Sequence, residues 1–254
     1  MSFPETPTFC LGGKQALVTG GSKGIGFAAA VALAKAGARV WIAARSRQVL
    51  TEAVNVAAAH DVLLHALELD ITDDAQVARV IEELPPLDIL VNSAGMARHA
   101  PFSEASMADY DAVMAVNVRA TFYLSQQVVR RMQAAGLPGA IIHVSSQMGH
   151  VGGKNRSVYC ASKFALEGLN RAMAIELGPH NIRVNTLCPT FIDTALSRQS
   201  LADPDFYQYV MRQIALGRAG ELEDIMGPVV FLASPAAAMI TGTSLLVDGG
   251  WTAS

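Results

Sequence analysis

The chain has 254 residues, of which 51% are hydrophobic and 16% are charged, and its formal net charge is −3. This composition supplies ample material for a buried core and argues against a disordered chain. The mild charge, without a basic stripe, argues against nucleic acid as a partner. The length fits one large α/β domain or two small ones.

Short apolar runs alternate along the chain with longer helical segments. Strands that alternate with helices form βαβ units, and right-handed crossovers build such units into a parallel sheet with helices on both faces. We therefore predict an α/β chain with a Rossmann-type, doubly wound parallel sheet of about seven strands. The predicted strands cover residues 16–19, 39–43, 63–69, 89–92, 140–144, 182–185 and 244–247.

No linker rich in proline, glycine or serine divides the chain, so we predict a single domain over residues 14–254. Residues 1–13 are expected to be an N-terminal leader. A long helix is predicted over residues 108–135, with Asn117 inside it. Residues 190–216 lack a strand pattern, and we expect them to form a mobile helical lid over the cleft.

A glycine-rich segment follows the first predicted strand and leads into a helix. Its sequence is Thr19-Gly-Gly-Ser-Lys-Gly-Ile-Gly26. The glycines allow a tight turn and let a pyrophosphate approach the helix N-terminus, where free N–H groups and the helix dipole favour anions. The strand–turn–helix context favours a dinucleotide site over an ordinary loop. The candidate cofactor-binding residues here are Gly20, Ser22, Lys23, Gly24, Ile25 and Gly26.

The end of the second predicted strand bears on the choice of cofactor. It reads Ala43-Ala44-Arg45-Ser46, without the carboxylate that usually binds the adenosine ribose of NAD. Arg45 offers a planar fork for a 2′-phosphate, and Lys23 adds a second positive charge. The alternative is that both are solvated surface cations. We expect NADP(H) to be favoured, with NAD(H) possible.

Tyr159 and Lys163 lie four residues apart, and Ser146 lies thirteen residues before the tyrosine. On a helix this spacing places the phenol and the ammonium on one face. A nearby positive charge lowers the pKa of a phenol from about 10, which makes it a proton donor and acceptor near neutral pH. Alone, such a pair is usually a helix-surface pair, and the chemistry alone does not choose between Ser145 and Ser146.

Five landmarks in this order resemble the short-chain dehydrogenase/reductase family. They are the Gly-x-x-x-Gly-x-Gly turn, Asn92-Ser-Ala-Gly95, Asn117, Ser146 and Tyr159-x-x-x-Lys163, and a late Val247-Asp-Gly-Gly250 adds to them. The resemblance covers about residues 14–251. It implies a catalytic dinucleotide-binding domain that moves a hydride between a nicotinamide cofactor and an alcohol or ketone.

The resemblance also assigns roles to individual residues. Tyr159 would be the general acid in ketone reduction and the general base in alcohol oxidation. Lys163 would hold the nicotinamide ribose, and Ser146 would hydrogen-bond the substrate oxygen. Asn117 would shape its helix so that a water links to Lys163.

Further cofactor contacts follow from the same resemblance. Asp70 ends the third predicted strand, where it would lie near the adenine, and a role as a helix N-cap is equally compatible. Thr190 stands where many members of the family have glycine. The remaining residues expected beside the cofactor are Asn92, Ala94, Gly95, Pro189, Ile192 and Thr194.

The loop 147–157 is rich in groups that bond hydroxyls, which argues for a polar substrate rather than a steroid or fatty acyl chain. Several segments look like the carbonyl and xylulose reductases, and others like bacterial polyol and sugar-acid dehydrogenases. A small polyol, ketose or sugar acid is the expected substrate. The expected substrate-binding residues are Ser146, Gln147, Tyr159, His99 and Asn155.

Three other functions remain open. A 3-oxoacyl-carrier-protein reductase would use the same site and needs a basic docking patch, for which Arg98, Lys154 and Arg156 are candidates. A catalytically inactive NADP-binding regulatory protein and a pure assembly protein are less compatible with an intact Ser–Tyr–Lys set. The six histidines lack zincin spacing, so no metal is expected.

The expected partners are a small-molecule substrate and further copies of this chain, as a homotetramer or homodimer, with no nucleic acid and no membrane. Alanines on the Tyr159 helix, including Ala161 and Ala174, would allow close helix packing. Three widely spaced cysteines and the lack of an evident signal or membrane span indicate a reducing compartment, which we expect to be the cytoplasm.

Overall fold

Seven parallel strands form one sheet in the computed structural model, which describes residues 3–253. The strand order is β3-β2-β1-β4-β5-β6-β7, so the predicted doubly wound parallel sheet is confirmed. The strands are β1 (Gln15–Thr19), β2 (Arg39–Ala44), β3 (Leu64–Glu68), β4 (Ile89–Asn92), β5 (Gly139–Val144), β6 (Ile182–Pro189) and β7 (Ser244–Val247).

Helices cover both faces of this sheet. Leu33, Leu50 and Leu232 belong to the core beneath α1, α2 and α9, and Val77 and Leu124 belong to the core beneath α3 and α5. The helices are α1 (Gly24–Lys35), α2 (Arg47–Ala58), α3 (Asp74–Glu83), α4 (Met107–Met114), α5 (Thr121–Ala134), α6 (Ser157–Leu177), α7 (Ala195–Leu201), α8 (Pro204–Gln213) and α9 (Leu222–Ala233).

The order in which successive strands are added to the sheet reverses between β1 and β4. Strand β1 pairs with β2 on one side and with β4 on the other, and Thr19 lies opposite Asn92. The connections after these two strands leave in opposite directions, which opens a crevice at the carboxyl edge of the sheet. Ligands of doubly wound folds bind in this crevice.

The long helix predicted over residues 108–135 is interrupted. Helix α4 ends at Met114, a π-helical turn covers Ala115–Ala120, and α5 begins at Thr121. Such turns are frequently found at functional sites. Here the turn contains Asn117, whose buried side chain is hydrogen-bonded to two other segments.

The segment before β1 and the segment after β6 differ from the rest of the domain. Residues 3–10 form no helix or strand, whereas Leu11 is buried and its N–H donates to the Ala36 carbonyl at 2.8 Å. After β6, α7 and α8 cover part of the range proposed as a lid. No helix within residues 3–253 has the length and apolar character needed to cross a bilayer.

Candidate active site

The glycine turn after β1 leaves no room for side chains at the crevice. Gly20 has φ of +63° and Gly24 has φ of +55°, a region that favours glycine. A Cβ at Gly20 would lie 2.9 Å from the Ala94 Cα, and one at Gly26 would overlap the Gly20 carbonyl oxygen. The turn therefore needs glycine at these positions.

The first turn of α1 is suited to an anion. The residue at its N-cap, Lys23, makes no side-chain capping hydrogen bond, and no acidic residue lies in the first turn. The N–H groups and the positive end of the helix dipole are thus uncompensated by the protein's own side chains. Together with the glycines, this geometry fits a dinucleotide pyrophosphate, with Gly20, Gly24 and Gly26 closest to it.

The region where a 2′-phosphate is expected carries two exposed cations, Lys23 and Arg45. The Thr72 hydroxyl and backbone N–H donate to Asp70 and lower the pKa of its carboxyl, and the Arg45 charge adds to this effect. Asp73 caps α3 by accepting from the Gln76 N–H at 3.0 Å. The N-cap alternative for Asp70 is therefore wrong, and its carboxylate closes a turn beside Arg45.

The segment after β4 is fixed to β1. The Thr19 hydroxyl accepts from the N–H groups of Ser93 and Ala94, each at 3.2 Å. The buried Asn92 amide donates to the Ser125 hydroxyl at 3.0 Å and lies 3.1 Å from His143 Nδ1. Its side chain therefore holds the sheet to α5 instead of facing the crevice, while Ala94 and Gly95 line the crevice through their backbones.

The segment after β6 approaches the same crevice from the other side. Pro189 is the last residue of β6, and Ile192 is buried and forms a bridge to Gly220. Thr194 caps α7, and its Cγ2 lies 3.5 Å from the position that a Cβ at Gly24 would occupy. This places the segment after β6, which is expected beside the cofactor, against the glycine turn.

Ser146 follows β5 and is buried at the reaction end of the crevice. Its hydroxyl donates to the Gln147 side-chain oxygen at 2.7 Å and accepts from the Met148 N–H at 3.1 Å. Gln147 is also buried. Its amide thus orients Ser146 in this arrangement, and a substrate oxygen would take the place of Gln147 as the acceptor of the serine proton.

Tyr159 and Lys163 lie on the first two turns of α6. The Lys163 ammonium lies 5.5 Å from the phenol ring centroid and donates to the Val144 carbonyl at 2.9 Å. Burial raises the pKa of Tyr159, while a hydrogen bond to the Ser146 hydroxyl acts in the opposite direction. The expected lowering of the Tyr159 pKa by Lys163 is therefore wrong here, because desolvation of the phenol is the largest effect, and the cation that lowers this pKa is Arg156.

Burial also acts on the lysine. It lowers the pKa of Lys163 to about 8, because desolvation disfavours the charged ammonium. A charged ammonium at this position therefore lowers the stability of the folded protein. Its neighbours in the crevice include Gly95, where a Cβ would lie 3.9 Å from Lys163 Nζ and 3.3 Å from Asn117 Oδ1.

Asn117 is held by hydrogen bonds on both sides of its amide. Its oxygen accepts from the Met96 N–H at 2.8 Å, and its nitrogen donates to the Met96 carbonyl at 2.9 Å and to the Ser162 hydroxyl at 3.0 Å. Ser162 in turn donates to the Tyr159 carbonyl at 2.7 Å. Ser162 was missed in the sequence, although it directly precedes Lys163.

The expected substrate residues are brought together to different degrees. The His99 ring packs edge-on against Tyr159, with ring centroids 6.1 Å apart. Burial and the charge of Arg156 lower the pKa of His99, which favours its neutral imidazole. Asn155 is exposed with φ of +61°, and its carbonyl accepts from the Ala100 N–H at 3.2 Å. Asn155 thus joins the loop before α6 to the His99 loop.

Aromatic residues of the lid segment pack over this end of the crevice. Phe191 lies 5.7 Å from Phe206 and 5.9 Å from Trp251, between ring centroids, and Tyr209 lies 6.2 Å from Trp251. These contacts pack Phe191, Phe206 and Tyr209 into one aromatic cluster with Trp251. Tyr207 remains 46% exposed.

A buried carboxylate lies behind the Ser146 loop. Glu167 accepts from the hydroxyls of Thr186 and Ser244 and from the Cys188 thiol, and His150 Nε2 is 3.8 Å from it. The ligand atoms of His150, Glu167 and Cys188 lie within 4.8 Å of one another, a proximity that the sequence spacing hides. Burial raises the pKa of Cys188 to about 12, which opposes metal binding through a thiolate, so the absence of a metal stays a prediction.

Known proteins are similar to this chain over nearly its whole length. A family model described as "Enoyl-(Acyl carrier protein) reductase" matches residues 20–252. D-erythrulose reductase of Gallus gallus is 41% identical over 248 residues, covering 98% of this chain and 99% of that protein. D-threitol dehydrogenase of Mycolicibacterium smegmatis is 41% identical over 249 residues, covering 96% of this chain and 95% of that protein.

A solved structure extends the similarity to the fold. The crystal structure of a gluconate 5-dehydrogenase from Burkholderia cenocepacia, in complex with NADP and tartrate, has a TM-score of 0.92 and 32% identity. The match covers 97% of this chain and 98% of that chain. The chain belongs to the short-chain dehydrogenase/reductase family and is an NAD(P)-dependent oxidoreductase that acts on CH–OH groups.

Proposed function

We propose that the protein interconverts a secondary alcohol and a ketone of a small polyol, ketose or sugar acid, with NADP(H) as the preferred cofactor. The observation that carries this proposal is the convergence of Ser146, Tyr159 and Lys163 at the crevice formed by the glycine turn. The names of the relatives, which concern erythrulose, threitol and gluconate, support the substrate class.

The proposed division of labour follows from the geometry. When bound, the cofactor supplies or accepts the hydride at the substrate carbon. Tyr159 donates its proton to the ketone oxygen in reduction and takes it back in oxidation. Ser146 donates a hydrogen bond to the same oxygen, where negative charge develops. Lys163 holds the cofactor ribose, and Asn117 positions the backbone of Met96 and, through Ser162, that of Tyr159.

The preference for NADP(H) rests on charge at the adenosine end. Arg45 and Lys23 are exposed at the carboxyl edge of β1 and β2, and β2 is followed by Arg45 where NAD-binding relatives would carry an acidic residue. A guanidinium binds a phosphate with two parallel hydrogen bonds. Asp70 lies close enough to Arg45 for the guanidinium charge to lower the pKa of its carboxyl, after the larger effect of the Thr72 hydrogen bonds.

The reading as a 3-oxoacyl-carrier-protein reductase has less support. Its docking patch would need free cations beside the cleft, yet Arg98 lies 3.7 Å from the Asp109 carboxylate. Arg156 packs against the rings of Phe191 and Phe206. Of the three candidates only Lys154 remains both exposed and without a carboxylate partner among residues 3–253, and one lysine makes a weak patch for an acidic carrier protein.

A substrate panel tests the proposed function. The purified protein is assayed at 340 nm with NADPH or NADP⁺ against ketoses, ketoaldonates, alditols, aldonates and a 3-oxoacyl thioester. We expect turnover of at least one polyhydroxylated compound, and loss of that turnover in Tyr159→Phe. A preference for the thioester would favour the carrier-protein reductase. NADPH binding without turnover of any compound would favour the inactive regulatory protein.

We also propose a homotetramer, built in part through α5 and α6. Phe122 on α5 and Phe164 and Ile175 on α6 are 49%, 49% and 79% exposed, which leaves apolar area for a second copy to cover. Ala161 is exposed on the same helix, whereas Ala174 is buried in the core and takes no part. Light scattering that gives the mass of one chain would contradict the proposal.

Three further proposals concern organisation and location. Residues 14–254 would act as the single catalytic domain, residues 1–13 as a leader, and residues 190–216 as a lid that opens and closes. Cys10, Cys160 and Cys188 are free thiols in the structure, in keeping with a reducing cytoplasmic location. Hydrogen exchange in α7 and α8 that slows when substrate and cofactor are added would support the lid.

A further inference from the structure

Arg156 lies at the start of α6, the helix that carries Tyr159 and Lys163. It occupies the N-cap position of α6, three residues before Tyr159, and its side chain is partly buried. The guanidinium carbon lies 5.0 Å from the Phe206 ring centroid and 5.7 Å from the Phe191 ring centroid. Two aromatic faces from the lid segment thus fix the plane of the guanidinium.

The hydrogen-bonding capacity of Arg156 is mostly unused. Its side chain donates to the Lys154 carbonyl at 3.1 Å, which uses one of five N–H donors. Among the carboxylates of residues 3–253, none lies within 4.0 Å of it. By contrast, Arg119, Arg198 and Arg218 each pair with an aspartate at 2.6–2.7 Å. Arg131 and Arg183 are also partly buried without a carboxylate partner among the same residues, but they donate to three and two backbone carbonyls, whereas Arg156 donates to one.

The charge of Arg156 changes the pKa values of two residues at the substrate end of the crevice. It contributes to the lowered pKa of His99, and it acts against the burial that raises the pKa of Tyr159. The rings of His99 and Tyr159 pack edge-to-face. The guanidinium therefore lies against the aromatic residues of the lid and close enough to Tyr159 and His99 for its charge to act on both.

We propose that Arg156 binds the carboxylate of a sugar-acid substrate, so that aldonates and ketoaldonates are preferred over neutral alditols and ketoses of the same length. This inference rests on the proposed function. The planar fork matches the two oxygens of a carboxylate, and the flanking rings hold it in place before the substrate binds. The carboxylate would anchor one end of the chain while Ser146 and Tyr159 act on a carbinol or ketone carbon further along.

The first test compares ligands on the unaltered protein with NADP⁺ present. We expect an aldonate to bind or turn over about 10- to 100-fold better than the alditol of the same length, as expected for one hydrogen-bonded charge pair. Equal affinities for the two ligands would overturn the inference. Turnover of the alditol would still uphold the proposed function, so the two failures are distinguishable.

The second test removes the charge while keeping the packing. In Arg156→Met the apolar stem still fits between Phe191 and Phe206, so kcat/KM for the acid should fall about 10- to 100-fold, mainly through KM, while that for a neutral substrate stays within about threefold. Arg156→Lys keeps the charge without the fork and should recover part of the loss. Arg212→Met, on the exposed end of α8, removes an equal charge and should alter kcat/KM neither for the acid nor for the neutral substrate.

Equal losses for acid and neutral substrates in Arg156→Met would overturn the inference and leave a packing role. A neutral substrate preferred by the unaltered protein, unchanged in Arg156→Met, would also overturn it. If Arg156→Met fails to fold, the ligand comparison on the unaltered protein and the acid-to-neutral ratio of Arg156→Lys still decide the matter.

Discussion

Replacing Lys163 with methionine should abolish turnover and also change how stability depends on pH. The lysine is 6% exposed, and burial lowers its pKa from 10.5 to about 8. Its ammonium donates to the Val144 carbonyl at 2.9 Å. Methionine fills a similar volume without a charge, so the variant removes the titrating group from a site that is otherwise packed.

The direction in which stability changes with pH depends on whether the folded or the unfolded chain binds the Lys163 proton more tightly. The unfolded chain binds the Lys163 proton more strongly than the folded chain, so folding carries a penalty that is complete below pH 8. The shift from 10.5 to about 8 corresponds to about 3 kcal/mol. As pH rises through 8 the folded protein releases the proton first, and stability increases. Between pH 7 and 9.5 about 2 kcal/mol of the penalty disappears.

Urea unfolding at pH 7 and 9.5 measures this effect. The cofactor is left out and the protein concentration is held constant, because bound ligand and assembly both shift apparent stability. We expect Lys163→Met to lack about 2 kcal/mol of the gain that the unaltered protein makes between these pH values. Lys35→Met removes an exposed lysine at the end of α1 and should behave like the unaltered protein. Identical pH dependence in Lys163→Met and the unaltered protein would refute the reasoning.

The other predictions concern catalysis and the cofactor site. Tyr159→Phe should lower kcat by at least about 1000-fold while NADPH affinity, followed by fluorescence, stays within about threefold. Because burial raises the pKa of Tyr159, ketone reduction should be flat from pH 6 to 8 while alcohol oxidation rises with pH; a reduction rate that falls across this range would argue against the phenol as donor. Gly26→Ala should weaken NADPH binding at least about tenfold and cost about 1–3 kcal/mol, because its Cβ would overlap the Gly20 carbonyl oxygen, whereas the exposed Gly12→Ala should do neither. Arg45→Asp should shift the kcat/KM ratio from NADPH towards NADH, and an unchanged ratio would contradict the assignment of the 2′-phosphate site.

The sequence was sufficient for the sheet and for the glycine turn. Buried parallel strands are continuous apolar runs, so their existence can be inferred from local composition. The requirement for glycine at positions 20 and 24 also arises locally, from backbone angles at a strand–helix junction. The order of the strands and helices along the chain then limits the topology of the sheet to a few arrangements.

The sequence was insufficient where one residue's state depends on several distant ones. The pKa of Tyr159 was mispredicted because the helix spacing shows the nearby ammonium but not the degree of burial. The π-helical turn at Asn117 depends on Met96 and Ser162, which belong to other elements. The cluster of His150, Glu167 and Cys188 likewise joins three segments, so no spacing rule could reveal it.

Burial shifts the pKa values of Tyr159 and Lys163 in opposite directions. It disfavours both the phenolate of Tyr159 and the ammonium of Lys163, so both groups are driven towards their neutral forms. A neutral phenol is the form that donates a proton to a ketone. The hydrogen bond with Ser146 lowers the Tyr159 pKa and so favours the phenolate that this donation leaves behind. The ammonium is retained near neutral pH only at a cost to stability. The buried ammonium lowers the stability of every folded molecule, and the hydrogen bond to the Val144 carbonyl offsets only part of this loss. A lysine at this position is therefore better explained as a binding group for the cofactor ribose than as a residue that stabilises the fold.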